Sequence, residues 1–190
     1  MSLTRRALAA LLAATLAACA SPNPELYTLV AVPGRKRHLA DHSVELRRIG
    51  LAGYLDRPEI VQGEADYRVH LASNKRWGES LGTMLDRVFT EDLVERLPGV
   101  AVFTEAGAIS TAPDLVLEID VQRFDTDATG TLVLLAQVAV RRADARRAAH
   151  AETLRLTVQP ASPATGDQVA AMSAALGQLA DRVIDLLARA

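Results

Sequence analysis

The chain has 190 residues, with 21 lysines and arginines against 23 aspartates and glutamates, for a formal net charge of −2. So mild an acidic balance offers no electrostatic footprint for nucleic acid, and a single cysteine excludes an intramolecular disulfide. Aromatic residues make up only 4% of the chain, which makes each of them a candidate for a special role.

Arg5 and Arg6 precede an apolar run from Ala7 to Ala18, which ends in small residues at Cys19. A basic start, an apolar middle and small residues at a cleavage point make a secretory signal. The run is 12 residues long, too short for the roughly 20 that cross a bilayer as a helix. Leu16, Ala17, Ala18 and Cys19 resemble the bacterial lipobox, whose cysteine takes up diacylglycerol before cleavage. The chemistry calls for a thiolate, the nucleophile able to accept the glyceryl group. Each buried lipid CH₂ contributes about 0.8 kcal/mol, so three acyl chains anchor durably. The expected organisation is a cleaved signal over 1–18, a lipidated N-terminus and tether over 19–42, and one domain over 43–190.

In the tether, Pro22, Pro24 and Pro33 favour extended backbone, and Arg35, Lys36 and Arg37 read as a solvated basic run, with contact to anionic lipid headgroups as the alternative. Leu26 to Val32 is apolar enough to add a strand. Short strands follow: Val44 and Leu46 alternate, Glu59 to Val61 lies between Pro58 and Gly63, and Tyr67, Val69 and Leu71 alternate. The period then changes. Leu81, Met84, Leu85, Val88, Phe89, Leu93 and Leu97 follow one face of a helix over 79–97, which Pro98 and Gly99 stop. A short strand over Val100 to Thr104 comes next, then alternation at Leu115, Leu117, Ile119 and Val121. Asp127 to Gly130 supplies a turn. Thr131 to Val140 reads as a central strand covered on both faces, and a charged turn over Arg141 to Arg147 leads to a last strand at Ala151 to Val158. After Pro160 and Pro163, with Thr165 or Asp167 as candidate caps, the residues Val169, Met172, Leu176, Leu179, Val183 and Leu186 mark a second helix. Docking on a sheet is the preferred reading of that stripe, and a seam with another helix the alternative. Strands around two good helices predict an α+β fold, a mainly antiparallel sheet with two long helices packed on one face.

Little in the chain suggests catalysis. His38 and His42 are four apart, the spacing of metal ligands on a helix, but lack the glutamate of the H-E-x-x-H pattern. His70 and His150 read as surface residues. No G-x-S-x-G, glycine-rich phosphate loop or G-x-G-x-x-G after a strand occurs. Asp86, Glu91 and Asp92 read as helix-surface positions. The expectation is a protein that is not an enzyme, with no catalytic residue, no metal and no cofactor beyond the covalent lipid on Cys19.

Several stretches together resemble the PqiC family of ABC-type transport auxiliary lipoproteins. Tyr27, Thr28 and Leu29 resemble its Y-T-L segment, and Tyr54 to Val61 reads Y-L-D-R-P-E-I-V, close to its Y-L-D-R-P-x-I-V run. Arg76, Trp77, Gly78 and Glu79, the pair Arg123 and Phe124, and the closing helix from Gln168 to Leu187 extend the likeness. One departure is Arg47 and Arg48 between Leu46 and Ile49, where smaller apolar residues are more usual. The resemblance implies an outer-membrane lipoprotein that faces the periplasm. Its partners would be an MCE-domain protein and an inner-membrane component, with lipid moving between the membranes; ring-symmetric partners imply a homo-oligomer. Ala20 after the cysteine lacks the aspartate that retains many lipoproteins at the inner membrane. An assembly lipoprotein holding a β-barrel, and a lipid carrier with its own cavity, are the alternatives. Tyr54, Arg57 and Trp77 are the candidate partner contacts, because tyrosine, arginine and tryptophan are enriched at interface hot spots. The competing reading has Tyr54 and Trp77 plug the end of the core.

Overall fold

The computed structural model describes residues 23–65, 68–108, 111–146 and 150–190. The signal segment and Cys19, together with Tyr67 and Arg147, lie outside the described residues. Nine strands form one sheet: β1 (Glu25–Tyr27), β2 (Ser43–Leu46), β3 (Gly50–Leu51), β4 (Glu59–Ala65), β5 (Arg68–Trp77), β6 (Ala101–Thr104), β7 (Leu115–Thr126), β8 (Leu132–Arg142) and β9 (His150–Val158). Among the described residues two helices, α1 (Leu81–Arg96) and α2 (Thr165–Leu187), complete the α+β fold.

The sheet is organised around β7. One side of β7 pairs antiparallel with β8, which pairs with β9. Along its other side run β2, β3 and β4 in succession, all parallel to it. The sheet therefore forks: β2 continues to β6 at one end, while β4 continues to β5 and β1 at the other. The long pairings β4–β5, β7–β8 and β8–β9 are antiparallel, as the sequence predicts, and the short pairings at β1, β6 and along the other side of β7 are parallel, which makes the sheet mixed. Parallel pairing arises because the chain passes β2, β3 and β4 in one direction, and β5 and α1 then carry it back before β6 and β7 run that way again; no alternation pattern encodes that path.

The helices form where the apolar stripes place them. Ser80 caps α1 by accepting the Thr83 N–H at 3.3 Å, and Gly99, with φ of +88°, turns the chain after it. Leu81, Met84, Leu85, Val88, Phe89 and Leu93 are buried. On α2 every residue of the stripe from Val169 to Leu186 is buried, with Ala171, Ala175 and Ala180 between them. That helix packs on β7, β8, β9 and α1, so its stripe is docked on the sheet. Its N-cap position is Ala164, which has no side-chain capping bond; Ser162 instead donates to Asp167 at 2.5 Å. One apolar core joins both helices to one face of the sheet.

The 23–42 segment is part of this body rather than free of it. β1 pairs with β5, Leu29 and Leu39 are buried in the core, and the Val32 N–H donates to the Asp92 carboxylate at 3.0 Å. Asp92 is wholly buried, not a surface position, and Arg96 one turn on holds it at 2.8 Å while reaching Asp181 at 2.9 Å. Gly34 lies so close to the Arg96 guanidinium that a Cβ there would overlap it. A strap thus crosses both helices, fixed by a buried ion cluster.

Candidate functional site

The loop from Leu51 to Glu59 positions two of the three sequence candidates together. The Leu55 N–H turns back to the Ala52 carbonyl at 2.9 Å, and the buried Leu55 side chain pins the turn to the core. Pro58 disfavours helical backbone at Arg57, and its carbonyl accepts the Trp77 N–H at 2.8 Å, which fastens the loop to the end of β5. Trp77 is only 5% exposed and belongs to the core. Among the described residues its indole N–H finds no acceptor, and the buried Nε of Arg57 finds none either.

Both residues line a hollow of about 290 Å³ with Asp56, Pro58, Glu79 and Ser80, at the N-terminus of α1. The Glu79 carboxylate is occupied by Arg87 at 2.6 Å. A buried donor left unpaired costs about 1–3 kcal/mol, and both of these donors belong to side chains that line the hollow. Tyr54 points elsewhere. Its hydroxyl donates to the buried Asp125 at 2.5 Å, and Arg123 Nε reaches the same carboxylate at 2.8 Å. The ring packs against the core. The structure therefore brings Arg57 and Trp77 together and gives Tyr54 a place in a separate network.

A broader surface escaped the sequence reading. On the sheet face away from the helices, Glu118, Asp120, Gln137, Ala139, Ala151 and Thr153 floor a concavity of about 620 Å³, with Arg47 and Arg48 at its side. Gln137 is exposed, so β8 is not covered on both faces along its whole length, although Val133 near its start is buried. The polar positions alternating with Leu117, Ile119 and Val121 were the available signal. Arg47 and Arg48, the departure noted above, belong to this face.

The titratable groups do not converge on one reaction centre. Burial raises the carboxyl of Asp92 above its ordinary value, against the lowering influence of the Val32 N–H and Arg96. Burial likewise raises Asp86, which accepts the Ile49 N–H at 2.9 Å. Asp114 is lowered by hydrogen bonds from the His42 N–H and from Ser43. His38 and His42 lie outside any helix and are exposed, so the helix face that would have made them a ligand pair is not formed. His150 contacts the Arg189 carbonyl at 2.8 Å. Among the described residues no group of three or more metal-ligating side chains gathers, and no helix is long and apolar enough to cross a membrane.

Comparison with known proteins adds the following. The family model described as "ABC-type transport auxiliary lipoprotein component" matches residues 27–184. No curated protein sequence matches. Among solved structures, one of an uncharacterised protein aligns with a TM-score of 0.71 at 16% identity, covering 86% of this chain and 98% of the other. A Xanthomonas campestris protein of family DUF330 aligns at 0.68 and 17% identity, covering 86% and 93%. Likeness at this identity establishes the shared fold.

Proposed function

From the premise that this chain belongs to the family of ABC-type transport auxiliary lipoprotein components, we propose that it is a non-catalytic accessory subunit of an intermembrane lipid transport system, anchored by lipid on Cys19 to the periplasmic face of the outer membrane. In this reading the folded body receives an MCE-domain partner, which works with an inner-membrane component, and the system supports membrane integrity. Tyr54, Arg57 and Trp77 mark the region that meets the partner. Family membership over 27–184 is the observation that carries the reading; the paired orphan donors of Arg57 and Trp77 support a contact that an outside acceptor completes. The lipobox-like Leu16 to Cys19 supports the anchor, and Ala20 supports outer-membrane residence.

Two experiments test it. Capture of the tagged full chain from detergent-solubilised envelopes should co-purify an MCE-domain protein; recovery of a β-barrel or secretin subunit instead would favour the assembly-lipoprotein alternative. Cys19→Ser should accumulate as unprocessed precursor without lipid label and disappear from the outer-membrane fraction. Normal processing and retention of that variant would overturn the anchor.

A further inference from the structure

We propose that β1 and the β4–β5 hairpin form a membrane-contacting edge, with Leu26, Val69 and Leu71 seated at the headgroup boundary of a phospholipid leaflet and Arg68 and Arg76 facing lipid phosphates. This deepens the anchored reading above and rests on it.

β1 pairs parallel to β5, with Glu25 opposite Lys75 and Tyr27 opposite Trp77. Followed back from Tyr27 to Glu25, the chain therefore runs the same way as β5 followed back from Trp77 to Arg68, which is toward the hairpin tip. Asn74 Nδ2 donates to the Asn23 carbonyl at 3.1 Å and pins the two together at that level. From Asn23 to Cys19 is four residues, a reach of at most about 14 Å when fully extended. The lipid can therefore hold this edge close to the bilayer surface.

The second observation is what this edge exposes. Among the described residues five large apolar side chains are exposed: Leu26, Val30, Val69, Leu71 and Val94. Three of them fall here, with Leu26 at 67%, Val69 at 37% and Leu71 at 39%. Beyond Gly63 the hairpin pairs only with itself, since Gly63 opposite Thr126 is the sole register pair between β4 and β7. It thus stands away from the body with both faces open, and Arg68, Val69, His70 and Leu71 are all exposed. Apolar tips interleaved with cationic stems suit the interface, where the apolar part enters the acyl boundary and the charge meets phosphate. Arg68 has no ion pair among the described residues, and Arg76 is only loosely paired, at 3.8 Å from Glu59.

The experiment uses the full lipidated chain reconstituted into vesicles of phosphatidylethanolamine and phosphatidylglycerol. Because lipid consumes the Cys19 sulfur, a second cysteine is the only reactive thiol. Leu26→Cys, Leu71→Cys and, as the control on the helix layer, Val94→Cys would each carry an environment-sensitive fluorophore, with nitroxide lipids as quencher. All three positions are exposed, so the thermal midpoints should match the parent. The expected result is quenching at 26 and 71 at least threefold stronger than at 94, reduced when Arg68→Glu and Arg76→Glu are added. Equal quenching at all three positions in protein that floats with the vesicles would overturn the edge and leave the anchor standing. Labels at 26 and 71 that are shielded from water yet unquenched by lipid would assign the edge to a protein occupant and also overturn it. Failure of the Cys19-containing chain to float would refute the anchor itself, and the edge with it.

Discussion

Replacing Arg96 with methionine tests how the strap is held. The guanidinium bonds the Asp92 carboxylate at 2.8 Å, the Asp92 carbonyl at 3.1 Å, Asp181 at 2.9 Å and the Gly177 carbonyl at 3.2 Å. Without it, Asp92 keeps only the Val32 N–H and sits as a buried charge whose Oδ2 already lacks a partner. Breaking a buried pair on one side costs about 3–5 kcal/mol. For a domain of this size 1 kcal/mol moves the thermal midpoint by about 2–4 °C, so a fall of roughly 6–20 °C is expected. The pH dependence has a definite sign. Burial raises the folded-state pKa of Asp92, so its contribution is most favourable below the ordinary carboxylate value and is lost as pH rises through the raised folded value. Arg96→Met removes the opposing cation, so its deficit should shrink as pH is lowered toward the ordinary carboxylate value. Adding Asp92→Asn should recover part of the loss at neutral pH. Urea unfolding of the purified chain across pH measures all three. A loss below about 1 kcal/mol, or a double variant no better than Arg96→Met, would refute the buried-pair argument.

Leu179→Ala on the docked face of α2 should cost about 2–5 kcal/mol in chemical unfolding, as large-to-small core changes do. An unchanged midpoint with a smaller sedimenting species would instead mean that the residue serves a seam between chains. Trp77→Ala should cost about 3–5 kcal/mol of stability, whereas Arg57→Ala should leave the midpoint nearly unchanged and weaken partner capture by at least about 1 kcal/mol. Asp114 is held low by the His42 and Ser43 donors, so its stabilisation is present above the unfolded carboxylate value and is lost as pH falls through the depressed folded value. Asp114→Asn should accordingly flatten the acid limb of the stability profile.

Legibility in the sequence followed locality. The stripes from Leu81 to Leu97 and from Val169 to Leu186 encode helix faces directly, and both helices form there. The strands beside the Asp127–Gly130 turn were equally clear, because β7 and β8 pair through that turn. The parallel register of β2, β3 and β4 against β7 was not, since it depends on how separate segments stack in space. The strap is only partly legible: Leu26 to Val32 is apolar enough for a strand, and β1 forms there, but Leu39 is an isolated apolar residue in a proline-containing, basic stretch with no period to reveal its burial. Asp92 and Arg96 did leave a signal: they sit three and seven residues after Phe89, on the apolar stripe of α1, where charge is expected only if paired. At the candidate site, Arg57 and Trp77 meet because a backbone bond joins Pro58 to Trp77. Tyr54 was drawn away by Asp125, a partner 71 residues distant.

If this lipoprotein meets an MCE-domain partner through the Arg57–Trp77 region, side chains at the rim of that hollow must come within reach of the partner in the cell. The most direct measurement places a photoreactive amino acid at Asp56, which is exposed and lines the hollow, with a second at Val94 as control, in intact cells. Crosslinked products from the outer-membrane fraction are then identified by mass spectrometry. The expected result is an MCE-domain chain joined at position 56 and absent at 94. A secretin or β-barrel subunit at 56, or no MCE-domain chain at either position, would contradict the account.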